Sequence, residues 1–357
     1  MKDFYQRRIS ILRDELSLNN GEGFFSSTRE DVLFLSGFNS SNSNLLITNK
    51  SEIIFTDKRY TQQIKELDNQ IKAEFIENNF TDTLRKYCDE HNIHTIYFEP
   101  SKISVQKVSE LRKIRKVKFK PIRKDISFIF ALQDEYSINQ TKKAIKLTEE
   151  IFKKILDNIK EGISEKDIKA ELKYLIYKSA DGEAFDPIVL FGKRTAFPHG
   201  VSNNNRLKVN MPILIDFGVN VKGYNSDFTR TFFFGKPSDE FKKKYEIVLS
   251  ALRIGIENLE ANKKAQDVAI SVIKFFERFN VDKNFTHALG HGLGVYLHNF
   301  PRLALRSNQI IPDNIIVAIE PALYFEKKFG IRIEQDILLY KGKKEILTKT
   351  TDELIVL

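Results

Sequence analysis

Short apolar runs separated by charged stretches dominate the first 130 residues. Residues 44–48, 53–56 and 95–98 are runs of the kind that form strands. Between them, 57–67 has charged helical character. Residues 81–91 are amphipathic, with Leu84, Tyr87 and Cys88 on one face. This alternation predicts an α/β domain over residues 1–130. The segment 128–132 and the polar stretch 133–136 mark its end, and residues 131–357 form the second domain.

The spacing then lengthens to that of helices. Ala144, Ile145, Thr148, Ile151, Phe152, Ile155, Leu156 and Ile159 recur at three and four, and Gly162 is expected to stop the helix. Ser164 with Asp167 spells a capping box that opens a second helix, with Ile168, Leu172, Leu175 and Ile176 inside. After Gly182 the pattern turns to strands at 188–191, 212–218, 224–234, 315–319 and 330–339. Residues 241–279 are helical again. The second part therefore reads as α+β.

Composition narrows the class. With 41% hydrophobic and 11% aromatic residues, the 357-residue chain can build a core. No apolar run approaches the roughly 18 residues of a membrane span. Residues 1–10 carry Lys2, Arg7 and Arg8 with no apolar stretch, so no signal peptide is expected. A single cysteine, Cys88, excludes an internal disulfide framework and a thiolate metal cluster. Together these point to the cytoplasm. The net charge of +9 is spread over both parts, but residues 102–124 hold ten Lys/Arg and one acid, Glu110. No nucleic-acid motif accompanies that stretch. It reads as a solvated helix and strand, and no nucleic-acid or membrane partner is expected.

The chemistry gathers in the second part. Of six histidines, His91 and His94 read as surface residues, while His287, His291 and His298 fall within twelve residues. Gly290, Gly292 and Gly294 between them disfavour a helix and let backbone approach closely. They do not form the spacing of a dinucleotide loop. Asp216 ends an apolar run and Asp227 follows a plausible hairpin turn at 219–223. With the turn centred between Val221 and Lys222, the two aspartates oppose each other with Cβ atoms about 5 Å apart, which is costly without a cation between them. Glu320 ends the run 315–319. Alternation puts Ile331 and Ile333 on one face and Arg332 and Glu334 on the other. Each carboxylate alone reads as a cap or an ion-pair partner. Asp216, Asp227, Glu320 and Glu334 with one histidine suit two divalent ions, Mn²⁺, Co²⁺ or Zn²⁺ rather than copper. Such a pair, about 3.5–4 Å apart, would hold a bridging hydroxide for hydrolysis.

The segments Ile215-Asp216-Phe217-Gly218, Gly223-Tyr224-Asn225-Ser226-Asp227-Phe228-Thr229-Arg230-Thr231, His287 to His298, Ile319-Glu320-Pro321 and Arg332-Ile333-Glu334 resemble the pita-bread metallopeptidases. Their Xaa-Pro branch, aminopeptidase P and prolidase, is the nearest. Leu35-Ser36-Gly37-Phe38 and Thr56-Asp57-Lys58-Arg59-Tyr60 resemble that branch's creatinase-like N-terminal domain.

The resemblance implies Asp216, Asp227, His291, Glu320 and Glu334 as metal ligands, with Asp227 bridging. It implies His199 near the substrate and leaving group, and His298 at the tetrahedral intermediate. Arg332 would support Glu334 or the substrate. His287 would belong to the catalytic set and is usually absent from methionine aminopeptidases. The implied reaction is attack of a metal-bridging hydroxide on the carbonyl before proline, with Glu320 shuttling the proton, in a homodimer acting on proline-containing peptides. One departure stands out: Asn299 replaces the usual acid after His298, removing a charge there. A methionine aminopeptidase, a creatinase-like C–N hydrolase and a non-enzymatic pita-bread binding module are the alternatives.

Overall fold

The structure, a computed structural model, describes residues 2–67 and 71–357. Contacts divide it into two compact units, one ending at Phe130 and one spanning Ala131–Leu357.

The first unit is built on a mixed six-stranded sheet. Its spatial order is Lys72–Phe75, Glu52–Thr56, Ser43–Thr48, Glu22–Ser26, Thr95–Phe98 and Lys118–Pro121. The helix Phe80–Glu90 buries Leu84, Tyr87 and Cys88 against it, as its apolar stripe predicts. Residues 57–67 form a 3₁₀ turn, Lys58–Tyr60, and a short helix, Thr61–Lys65. The charge-rich start hides a further helix, Lys2–Leu16, whose Tyr5, Arg8, Ile9 and Leu12 are buried. The basic stretch supplies the exposed lysines of the edge strand Lys118–Pro121. Charge on an edge strand blocks pairing with another chain.

The second unit has two helix-on-sheet halves. In one, the helices Glu135–Leu156 and Glu165–Ser179 cover the sheet Thr229–Phe234, Met211–Asp216, Ile188–Phe191. Ile151, Phe152, Ile155, Ile168, Leu172 and Ile176 meet Ile213, Ile215 and Phe232 there. The first helix ends at Leu156, well before Gly162, and the Ser164–Asp167 capping box is formed. In the other half, Asp239–Asn258 and Ala265–Glu277 cover a five-stranded sheet. Its order is Asn299–Leu303, Gly290–Leu293, Ile315–Ile319, Gln335–Tyr340 and Lys343–Ile346. Among the described residues no helix is long and apolar enough to cross a membrane.

Four expectations about this unit need correction. The helical stretch 241–279 is two helices, broken where Lys264 begins a new N-terminus. The run 224–234 is two strands, Tyr224–Asn225 and Thr229–Phe234. The run 330–339 is also two, Phe329–Arg332 and Gln335–Tyr340, in different sheets. Each strand break coincides with a carboxylate that leaves the ladder, Asp227 in one and Glu334 in the other. Finally, the hairpin turn sits at Lys222-Gly223, both with positive φ, and Val221 faces Tyr224. Positive φ at both central positions is the turn geometry that matches strand twist. The shift by one residue puts Asp216 opposite Thr229, not opposite Asp227.

Candidate active site

The register explains how the two aspartates still meet. Phe217 N donates to Phe228 O, and Ser226 N donates to Val219 O, both at 3.0 Å. Pairing therefore runs past Asp227, which falls opposite Gly218. Asp216 and Asp227 are diagonal neighbours on one face, a separation of about 7–8 Å in an ideal sheet. A side chain at Gly218 would overlap Ser226 O, so glycine is what permits the close approach beside Asp227. Ser226 Oγ is fixed by Thr148 Oγ1 at 2.7 Å and by Val219 N at 3.0 Å.

On the other half, His291 lies in the strand Gly290–Leu293. A Cβ at Gly290 would strike Ala318 O, and one at Gly292 would strike Phe300 O. The flanking glycines thus do allow close backbone approach on both sides of His291. Glu320 follows the strand Ile315–Ile319, its N–H held by Leu289 O at 2.9 Å. Ile331 and Ile333 enter the core while Arg332 and Glu334 face the opposite way, as alternation predicts.

All nine residues singled out from the sequence line one cavity of about 650 Å³: His199, Asp216, Asp227, His287, His291, His298, Glu320, Arg332 and Glu334. Ligand atoms of Asp227, His291 and Glu334 lie within 4.8 Å of one another. His291 Nε2 is 3.6 Å from Asp227 Oδ2 and 3.7 Å from Glu320 Oε1. Its Nδ1 is 3.1 Å from Gly292 O, which turns Nε2 toward the carboxylates. Thr229 Oγ1 donates to Glu334 Oε2 at 2.8 Å. The His291 and His298 rings meet edge to face at 4.5 Å. His199 is exposed at the rim.

Electrostatics make this cluster unstable without a cation. Burial first, and then neighbouring carboxylates, push Asp227 and Glu320 well above the usual carboxylate range and Glu334 up to about 8. Burial also lowers His287 and His291 to about 4, and lowers His298. Arg332 is paired with Asp216 Oδ2, while Asp216 Oδ1 is buried with no hydrogen-bond partner. Buried carboxylate oxygens around one neutral imidazole, one of them orphaned, fit divalent cations of the oxygen-preferring kind.

Three neighbours were not picked out from the sequence. Tyr324 OH accepts from Arg332 at 2.6 Å and stands 3.0 Å from His287 Nε2. Nothing local marks it. Asp336 is fully buried behind Glu334, its Oδ2 3.5 Å from Asp227 N. Its place two residues after Glu334, in an apolar strand, was the available signal. Arg302 lines the cavity wall and is exposed.

Comparison with known proteins accords with this geometry. Residues 139–341 match metallopeptidase family M24, and residues 8–127 match the creatinase/prolidase N-terminal domain. The chain belongs to family M24, a family of hydrolases, and has the creatinase-type N-terminal domain followed by the pita-bread catalytic fold. It is 28% identical to an Xaa-Pro dipeptidase of Pyrococcus horikoshii, over 99% of this chain and 100% of that one. Among solved structures it is similar to an X-Pro aminopeptidase from Thermotoga maritima, with 32% identity, TM-score 0.89, and coverage of 97% and 100%. It is also similar to an Xaa-Pro dipeptidase from Bacillus anthracis, with 28% identity, TM-score 0.93, and coverage of 99% and 100%.

Proposed function

We propose that the chain hydrolyses the peptide bond preceding proline, with residues 1–130 as a separate N-terminal domain and 131–357 as the catalytic domain. The observation that carries this reading is the convergence of His199, His287, His298 and Arg332 on the same cavity as five ligand-type side chains. The names of the relatives, Xaa-Pro dipeptidase and X-Pro aminopeptidase, support the substrate class.

Asp216, Asp227, His291, Glu320 and Glu334 would hold two divalent ions, Mn²⁺ before Co²⁺ or Zn²⁺. Bound there, such ions supply a Lewis acid and a water acidic enough to ionise at neutral pH. The protein groups do the rest. Glu320, the most open of the four carboxylates, takes a proton from the attacking water and delivers it to the proline nitrogen. His298, kept neutral by burial, donates to the carbonyl oxygen as negative charge develops on it. His199 reaches in from the rim beside the leaving proline. His287, neutral and joined to Tyr324, holds that hydroxyl against Arg332 and so keeps Arg332 on Asp216. A bond to proline has no N–H and a fixed φ, so strand-like pairing with substrate is unavailable. A confined cavity with polar groups aimed inward replaces it.

Arg302 is the cavity cation that, among the described residues, enters no ion pair. In a dipeptide its guanidinium would meet the proline carboxylate, which favours prolidase over aminopeptidase P. The reading includes a homodimer in the cytoplasm. The dimer rests on the resemblance alone, and the compartment on the single cysteine, Cys88, whose thiol is buried and pushed up to about 12.

The test compares an Xaa-Pro dipeptide with an Xaa-Pro-Yaa tripeptide, using Mn²⁺-loaded protein and Asp227→Asn as the control. Cleavage of the dipeptide alone supports prolidase. Cleavage of the tripeptide, lost in the control, supports aminopeptidase P. If neither is cleaved and no metal binds, the reading fails and the binding-module alternative replaces it.

A further inference from the structure

Arg230 is among the largest fully buried side chains of the protein, 1% exposed, and lies outside the cavity lining. Its guanidinium is satisfied entirely by backbone. Nη1 donates to Thr229 O and to Glu334 O, Nε donates to Thr351 O at 2.8 Å, and Nη2 donates to Thr350 O at 2.7 Å. The plane lies over the Phe228 ring, 4.6 Å from its centre. One side chain therefore ties the backbone of a candidate metal ligand to the segment before the C-terminus.

That segment is itself held at several points. Glu149, on the helix Glu135–Leu156, accepts from the backbone N–H groups of Lys349 and Thr350. Tyr245 OH donates to Asp352 O at 2.9 Å. Farther on, Phe233 N donates to Ile355 O and Leu357 N to Phe233 O, both at 2.9 Å. The C-terminal residues thus run beside the strand Thr229–Phe234, whose first residue also hydrogen-bonds the Glu334 carboxylate. Glu334 leaves the ladder at the break between two sheets, where no regular pairing fixes it. Its backbone is held by its own N–H on Thr229 O at 3.2 Å and by its carbonyl on Arg230.

We propose that Arg230 is a positioning residue for the metal site: it fixes the Glu334 backbone, and the turn at 349–351, buttressed by Glu149, fixes Arg230. The C-terminal segment thereby sets the affinity of the site for divalent cations. A lysine in place of Arg230 keeps the charge but has one point donor instead of a planar fork, so it cannot hold four carbonyls in two directions. This inference rests on the reading of Glu334 as a ligand given above.

The experiment titrates metal-free full-length protein with Mn²⁺ by calorimetry, for wild type, Arg230→Lys and Glu149→Ala. It also records the visible spectrum of each after loading with Co²⁺. Outer partners of metal ligands typically change affinity about 10–100-fold, and that loss is expected for Arg230→Lys, with an altered Co²⁺ spectrum. Glu149→Ala leaves Arg230 itself in place, its folding is checked by its metal-free melting, and it is expected to weaken Mn²⁺ by less than Arg230→Lys but measurably. Lower metal-free stability with wild-type affinity and spectrum in Arg230→Lys assigns Arg230 a purely structural role and overturns the proposal. If Arg230→Lys does not fold, unchanged affinity in Glu149→Ala overturns it alone. Absence of Mn²⁺ binding by wild type instead defeats the reading of the site itself.

Discussion

Arg332 closes on one oxygen of Asp216 and leaves the other oxygen buried and unpartnered. The pair compensates the aspartate's charge and leaves Oδ1 without a partner on a side chain that lines the cavity. Replacing Arg332 with Met strands a buried charge, a change that costs about 3–5 kcal/mol. We expect a fall in Tm for metal-free Arg332→Met that saturating Mn²⁺ partly reverses. An equal fall with and without Mn²⁺ would show that Asp216 does not face the ion.

Asp227 stands within ligand reach of both His291 and Glu334. Asp227→Asn preserves shape and removes a charge, and it should relieve repulsion in the metal-free protein while weakening Mn²⁺. The expected outcome is a higher metal-free Tm at pH 8 together with an activity loss of more than about 100-fold. Calorimetry alongside a proline-dipeptide assay checks both. Retained activity would remove Asp227 from the ligand set.

The metal-free protein should be pH-sensitive in a definite direction. Glu334 titrates near 8 in the fold against an ordinary 4.5, raised by burial and then by Asp216. A carboxyl raised by folding contributes stability that is complete below its ordinary pKa and is lost as pH rises toward the folded one. Asp227 and Glu320 act in the same direction. His287, His291 and His298, lowered by burial, oppose this below their ordinary 6.5, so the window is pH 7 to 8. Across it, in chelator, Tm should fall by about 2 °C or more. Divalent cation should restore more at pH 8 than at pH 7. A flat or rising profile would contradict the arrangement.

Tyr324 joins His287 to Arg332 through one hydroxyl. Tyr324→Phe leaves the ring packing and removes that link. A hydrogen bond to a charged group contributes about 1.5–3 kcal/mol, so kcat should drop on the order of tenfold or more. A wild-type kcat in Tyr324→Phe would make the hydroxyl a bystander.

Asn299 stands in the cavity beside His298, its Oδ1 accepting from Phe300 N at 2.8 Å. His298 is lowered chiefly by burial. Asn299→Asp adds an opposite charge, which favours the imidazolium and raises the pKa. If neutral His298 is the active form, the acid limb of kcat/KM moves to higher pH by about one unit. An unmoved limb would place the essential ionisation elsewhere.

Much of this fold is legible in the sequence. The strands 44–48, 95–98, 188–191 and 315–319 and the capping box at Ser164 are local patterns, and local patterns survive folding when packing agrees with them. The four carboxylates and a histidine were legible as a set, because together they are too costly without a cation, while His199, His287, His298 and Arg332 were legible only through the family resemblance of their segments.

The chain by itself determined the candidate side chains and their order, through residue type, near-neighbour spacing and the resemblance those segments carry. Tertiary structure alone decided the register that makes Asp216 and Asp227 diagonal, and the break that sends Arg332 and Gln335 into different sheets. It also decided the partners Tyr324, Asp336 and Arg230. The physical reason is that a strand's periodicity specifies a face but not a partner. Partners come from turns, close-approach glycines and buried carbonyls contributed by segments more than 100 residues apart, such as Arg230 and Thr350.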